Sequence, residues 1–443
     1  MALMISVSGI RGLIGQTLTP TLVTEAAAAF GTHLGRGLVV VGRDSRPSGP
    51  MVSAAVTAGL LSVGCDVLDV GLASTPATAL NILTARAAGG MVITASHNPQ
   101  PWNGLKFLLA NAIAPPPETA EQIFAVMRAR SFQFAPVEMI GSIRNDSSAA
   151  AAHVEKVLST VSVDAIRRRR FKVVLDSVNG AGGPEGKRLL DELECTLVHI
   201  HGEPTGLFAH TPEPLAENLT ELAAEVRKHG ADIGFAQDPD ADRLAIVDDQ
   251  GRYIGEEYTV VLAAMQALKQ KPGPVAVNLS TSRMIEEVAA RFGCMVHRTA
   301  VGEANVARAV LQRGCVIGGE GNGGVIDPQV VCVRDSLVAM ARTLSLLAEE
   351  ARPLSAIVND LPRYVMIKQK FEMTPEAVDR WQARIRENAG NGKLDESDGL
   401  RIDWPEGWVH VRRSNTEPIA RIIAEAADAA SASRLVQRVA ELR

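Results

Sequence analysis

The sequence has no apolar run long enough to cross a bilayer, which takes about 20 consecutive apolar residues as a helix. Its opening, "MALMISVSGIRG", lacks the charged-then-apolar layout of a secretory leader, so the cytoplasm is the expected location. It lacks a basic excess: 45 Lys and Arg against 50 Asp and Glu give a formal charge of −5. That balance argues against a nucleic-acid or anionic-membrane surface as partner. Cysteine is scarce, five in 443 residues, and none stands in Cys-x-x-Cys spacing. Buried, reduced thiols are expected, not a redox pair. There is no Gly-x-Ser-x-Gly stretch, which makes acyl transfer unattractive.

What is present is a folded composition, 46% hydrophobic and 21% charged. At 443 residues the chain exceeds one ordinary core, so two to four domains are expected. One plan occurs three times. A β-branched run opens each unit: "GLVVVGRDSRPSG" (37–49), "FKVVLDSVNGAGG" (171–183) and "PVAVNLSTSR" (274–283). A helix-like stretch follows, then a second run beginning at Cys65, Cys195 or Cys294. A third run closes each unit, at 90–95, 231–236 and 315–319. Strands alternating with helices imply βαβ units, and nearly continuous apolar runs imply strands covered on both faces. The tail differs: a helical stretch (374–389), two β-like runs (407–413 and 419–426) and a last helix suggest an antiparallel sheet with helices on one face. The fold class expected is α/β: three similar α/β domains with mixed, largely parallel sheets (1–155, 156–256, 257–365) and a C-terminal α+β domain (366–443) around one central cleft.

Ligands of open parallel sheets bind beyond the carboxyl ends of the strands. Each third run ends in a different polar loop: "SHNP", "QDPDADR" and "GEGNGG". In the second, Asp238, Asp240 and Asp242 alternate over five residues and repel one another unless a cation joins them. Oxygen ligands without His or Cys select hard cations, Mg²⁺ first, and no EF-hand pattern follows. Mg²⁺ leaves coordination positions open to phosphate oxygens, which suggests phosphate chemistry. Ser96 near such a cation can carry a phosphoryl group, or it can cap a turn. Between the last two strands, Arg413, Ser414, Asn415 and Thr416, with Arg421 beyond, offer an anion a dense set of donors. Arg11, Arg43 and Arg46 add positive charge from the first domain, as ion-pair partners or as ligand contacts.

In this order "TASHNP", "DPDADR", "GEGNGG" and "RRSNTEP" resemble the loops of the α-D-phosphohexomutase family, and the match runs along essentially the whole chain. The resemblance implies that Ser96, standing exposed at its turn, exchanges a phosphoryl group with a hexose 1- or 6-phosphate. The intermediate it implies is a hexose 1,6-bisphosphate, also the implied activator. It implies Mg²⁺ on Asp238, Asp240, Asp242 and a Ser96 phosphate oxygen. Arg243 would stabilise charge, Lys106 would transfer protons, and Arg11 and His97 would complete the wall. Glu320 and Asn322 would bind sugar hydroxyls, and the loop with Arg413 the distal phosphate. One departure is visible: Asn322-Gly323-Gly324 stands where many members carry Ser-Gly-His. "TAVGEANV" (299–306) resembles glucosamine-phosphate enzymes, whereas "RRSNTEP" resembles mannose- and glucose-phosphate enzymes. Glucosamine phosphate or a broad range of hexose phosphates is the expected substrate, and a monomer or homodimer the expected assembly. A sugar-phosphate hydrolase and a catalytically silent sugar-phosphate-binding protein are the rival readings.

Overall fold

Val39, Val40 and Val41 lie side by side in one strand and are all fully buried. Helices cover both faces of their sheet, so no position along the strand needs to be polar. The computed structural model describes residues 3–7, 9–413 and 419–443. Its first sheet holds β1 (Met4–Ser6), β2 (Gly9–Leu13), β3 (Gly37–Arg43), β4 (Cys65–Leu72), β5 (Gly89–Ile93), β6 (Trp102–Leu109) and β7 (Ile143–Asn145), in the order β1-β2-β6-β5-β3-β4-β7. The second holds β8 (Lys172–Asp176), β9 (Thr196–Ile200), β10 (Ile233–Gln237) and β11 (Leu244–Asp248), in the order β11-β10-β8-β9. The third repeats that order with β12 (Val275–Asn278), β13 (Val296–Thr299), β14 (Ile317–Glu320) and β15 (Gly324–Ile326).

The three units therefore share a four-strand kernel. Three strands run parallel, and the third turns back through a hairpin into an antiparallel fourth: β5 into β6, β10 into β11, β14 into β15. Each polar loop singled out in the sequence lies in or next to such a hairpin. Cys65 begins β4, Cys195 directly precedes β9 and Cys294 stands two residues before β13; all are free thiols, at near-equivalent packing positions. The helix Ser336–Glu350 is buried from Ser336 to Leu347 and packs among helices of the second and third units. One apolar core runs from Val40 through Val173 to Leu337 and so joins all three.

The fourth unit has its own core. Its antiparallel sheet contains β16 (Val365–Glu372), β17 (Lys393–Asp395), β18 (Leu400–Trp404), β19 (Gly407–Arg413) and β20 (Ile419–Ala426), in the order β16-β20-β19-β18-β17. The helices Pro375–Glu387 and Ala429–Ala440 meet Val409, Val411 and Ile422 in that core. The opposite face docks on the third unit: His410 Nδ1 is 2.9 Å from Ser280 Oγ, and the Arg283 amide donates to Glu425 Oε1 at 3.0 Å. No helix among the described residues is long and apolar enough to cross a membrane.

Candidate active site

Ser96 follows β5 in a left-handed conformation, φ +49°, which costs a residue other than glycine energy. Arg46 holds it there. Its buried guanidinium donates to the carbonyls of Ser96, Asn98, Pro99 and Trp102 at 2.6–2.8 Å and pairs with Asp44 at 3.1 Å. Of the two readings open for Arg46, the structural one describes this geometry. Ser96 is not exposed, as its sequence position suggested. It is 1% accessible, because its hydroxyl turns inward and donates to Asp238 Oδ2 at 2.9 Å.

Asp238, Asp240 and Asp242 sit in the β10–β11 hairpin with no accessible surface, and each offers an oxygen within 4.8 Å of the others. Asp238 Oδ1 accepts the amides of Asp242 and Arg243, both at 3.1 Å, which folds the loop around it. Lys106 Nζ, from β6, donates to Asp240 at 2.6 Å and to Asp242 at 3.0 Å. Thr75 Oγ1 donates to Asp240 at 2.5 Å. Burial, with Asp242 and Asp240 adding to it, holds the Asp238 carboxyl well above the usual range. Burial pushes Asp242 the same way, but Arg334, Lys106 and Arg243 outweigh it and hold it well below. Burial would lower Lys106, yet the two aspartates keep it an ammonium. Oδ1 of Asp240 and Oδ1 of Asp242 are buried without a hydrogen-bond partner. Two orphaned carboxylate oxygens in a three-carboxylate cradle fit a hard divalent cation.

Beside this cluster a cavity of about 530 Å³ is lined by all four units: His97 from the first, Arg243 from the second, Glu320 and Asn322 from the third, Arg412 and Arg421 from the fourth. Arg11, on β2, donates to Asn98 at 3.2 Å and so joins the serine loop. Burial, with Arg243 and Arg11 nearby, pushes His97 down to about 3, leaving a neutral ring on the wall. Glu320 Oε1 accepts from Asn278 at 2.7 Å, and its other oxygen from Asn322 at 3.4 Å. Arg413 is not brought in. It is half-exposed and pairs with Asp379 on the helix Pro375–Glu387. Its neighbour Arg412 takes the cleft side, because consecutive residues of β19 point to opposite faces. Ser414, Asn415 and Thr416 lie outside the described residues.

The sequence did not disclose Arg334. From the loop after β15 its guanidinium donates to Asp242 at 2.5 Å and to Glu320 at 2.9 Å, tying the acidic loop to the third-unit loop. A Cβ on Gly324 would come within 2.1 Å of Arg334 Cδ. The glycine that replaces the loop histidine is thus the space through which Arg334 passes. It was the one signal the sequence carried.

Fold and site together define a protein of four units whose polar loops meet at one cleft. Four family models match in succession: phosphoglucomutase/phosphomannomutase α/β/α domains I, II and III at residues 3–134, 151–251 and 255–364, and the C-terminal domain at 366–442. The chain belongs to the phosphoglucomutase/phosphomannomutase family of the α-D-phosphohexomutases. A "probable phosphoglucosamine mutase" of Methanopyrus kandleri is 39% identical, covering 95% of this chain and 93% of its own. A "phosphoglucomutase/phosphomannomutase" of Thermococcus kodakarensis is 40% identical over 94% and 93%. The crystal structure of a phosphoglucomutase/phosphomannomutase family protein from Burkholderia thailandensis, 29% identical, superimposes with a TM-score of 0.88 over 99% and 97% of the two chains. Phosphohexomutase activity follows from this kinship.

Proposed function

We propose that the enzyme interconverts hexose 6-phosphate and hexose 1-phosphate through a phosphorylated Ser96 and a hexose 1,6-bisphosphate that also primes it, with glucosamine phosphate as the preferred sugar. The observation that carries this reading is the hydrogen bond from Ser96 Oγ to Asp238, at the edge of a cavity that all four units line. Asp238, Asp240 and Asp242 would hold Mg²⁺, which would neutralise phosphoryl charge beside Ser96. A phosphoryl group leaves Ser96 Oγ as the bond to a sugar hydroxyl forms, and the serine oxygen is left to receive the other phosphate. The hydroxyl proton needs an acceptor. Lys106 is committed as an ammonium to Asp240 and Asp242, so we assign the transfer to His97, which is neutral on the cavity wall. Burial is the larger cause of the low value, and a phosphate between Arg11 and Arg243 would cancel the charges that add to it, making the ring a better base. Arg412 and Arg421 would grip the distal phosphate.

Four glutamates line the same cavity; Glu256 is paired with Lys368 and Glu320 with Arg334, and burial raises Glu257 to about 8, so Glu213 is the carboxylate that suits the ammonium of an amino sugar. The Gly302 amide of the "TAVGEANV" segment donates to Glu320 at 3.2 Å, which brings that segment to the sugar site. A broad range including mannose and glucose phosphates is the second reading, favoured by the name of the T. kodakarensis relative. Turnover of glucosamine, glucose and mannose phosphates, each with and without its 1,6-bisphosphate, tests both. A mutase requires the bisphosphate and releases little inorganic phosphate. Steady phosphate release, or no turnover of any of the three, would reject the proposal.

A further inference from the structure

The second unit contains another constellation, on the strand next to the one that delivers the acidic loop. Asp176 ends β8, paired in register with Ala236 of β10. His201 follows β9, and His210 lies nine residues on in the irregular stretch before the helix Thr220–His229. Three segments thus converge, and their ligand atoms lie within 4.8 Å of one another. His201 Nδ1 stands 3.1 Å from Asp176 Oδ1, and His210 Nε2 stands 3.0 Å from Asp176 Oδ2.

The outer nitrogens decide what this means. His210 Nδ1 lies 2.8 Å from the Thr211 carbonyl, to which only an N–H can bond. In the neutral ring, Nε2 is then a lone pair aimed at a carboxylate oxygen. Acceptor then faces acceptor, a contact that a proton or a metal ion can bridge. His201 also faces Asp176 through a ring nitrogen, Nδ1, with its Nε2 3.5 Å from the exposed Glu221 carboxylate. A proton on each ring would leave two imidazoliums with centroids 5.6 Å apart sharing one buried carboxylate. One divalent ion would take the place of both protons, with its three ligand atoms already within 4.8 Å of one another. An outer nitrogen tied to a carbonyl, as at His210, is the orienting contact that metal-bound histidines usually make.

We propose that Asp176, His201 and His210 form a second metal site, for a borderline divalent ion of the Zn²⁺ class, separate from the Asp238–Asp240–Asp242 cradle. Two imidazoles and a carboxylate select such an ion over Mg²⁺. Ligand atoms of a tetrahedral zinc site stand roughly 3.3 Å apart, close to the separations found. The histidine side chains keep 18% and 19% of their surface, so the ion has a way in and water a fourth position. Its role is bracing. The loop after Asp176 lies against the acidic loop, where the Ala181 amide donates to the Pro239 carbonyl at 2.8 Å. The His201–His210 segment carries Phe208, whose ring lies 5.0 Å from the Arg46 guanidinium that holds the Ser96 loop.

The test is equilibrium dialysis of the full chain against Zn²⁺ with Mg²⁺ in large excess, combined with thermal unfolding. One Zn²⁺ per chain is expected for the parent and for Asp240→Asn, and Zn²⁺ should raise the melting temperature of both. His210→Ala should weaken binding by about a hundred-fold or more and lose the thermal shift. Should that variant not fold, His201→Gln gives the same reading. No Zn²⁺ on the parent under excess Mg²⁺ overturns the proposal, and so does equal binding by the histidine variants. Neither result depends on mutase activity.

Discussion

At the scale of single residues, Ser96 has two partners that a mutation separates. Its carbonyl serves the loop through Arg46, and its hydroxyl serves Asp238 alone among strong contacts. Ser96→Ala should therefore keep the parent's melting temperature within a few degrees and lose about a thousand-fold or more of turnover, since a methyl group cannot carry a phosphoryl group. A bisphosphate-supplemented mutase assay beside a melting curve checks it; activity within a few-fold of the parent would end the phosphoserine reading. Arg412 and Arg413 make a second pair. Arg412→Ala should raise KM about ten- to a hundred-fold for the 1-phosphate and the 6-phosphate alike, the size of a charge-assisted contact. Arg413→Ala breaks only an exposed pair with Asp379 and should change KM less than about two-fold. Steady-state kinetics in both directions compare them, and a larger effect at Arg413 would return the phosphate contact to it. The sequence held half of this answer. In "GWVHVRR" a period of two puts Arg413 with Val409 and Val411, and Arg412 with Trp408 and His410. It does not say which face meets helices and which meets the cleft, and both faces are buried because the sheet is covered on each side.

At the scale of elements, three helices meet at His153. It lies on Ala149–Leu158, with Nδ1 3.1 Å from Glu185 of Gly182–Glu192 and Nε2 2.7 Å from Asp335, the N-cap of Ser336–Glu350. Glu185 also receives the Ser74 amide and hydroxyl from the first unit. Burial opposes charge on the imidazole, but Asp335 and Glu185 outweigh it and raise the pKa to about 10. An unfolded histidine titrates near 6.5. The folded chain thus holds a proton that the unfolded chain has released between those values. The stabilisation is complete below about pH 6.5 and is lost as the pH rises through 10. Thermal midpoints of the parent and His153→Gln should differ most near pH 6 and converge toward pH 10; a difference independent of pH would remove the imidazolium from this junction. Strands were the most legible elements, since Val39–Val41 and the runs at 407–413 and 419–426 carry β-branched, bounded patterns. β16 escaped notice because it alternates weakly and stays largely exposed, and Arg334 because its partners sit 92 and 14 residues away.

At the scale of the molecule, the first three units share a core and the fourth does not. The fourth is held by polar groups: Arg401 donates to the Leu279 carbonyl and lies 4.1 Å from the Trp408 ring, while His410 and Glu425 meet Ser280 and Arg283. Polar docking of a separately cored unit permits opening, which the proposed bisphosphate intermediate would need in order to turn. Arg401→Ala should speed proteolysis in the connection at 359–365 several-fold, and saturating bisphosphate should slow it again by bridging the cleft. Cleavage at the parental rate would show that these contacts do not hold the unit closed. The hairpin that ends each of the first three kernels has a consequence of another kind. Both ends of each loop are pinned by paired strands, so a loop can change its chemistry without asking anything new of its sheet. Such a plan suits descent by duplication: an ancestral segment with a single ligand-facing turn, copied twice, leaves each copy free to specialise. One turn now offers a hydroxyl, one three carboxylates and one a glutamate with an asparagine, and in the proposed function that difference becomes a division of labour inherited from a common plan.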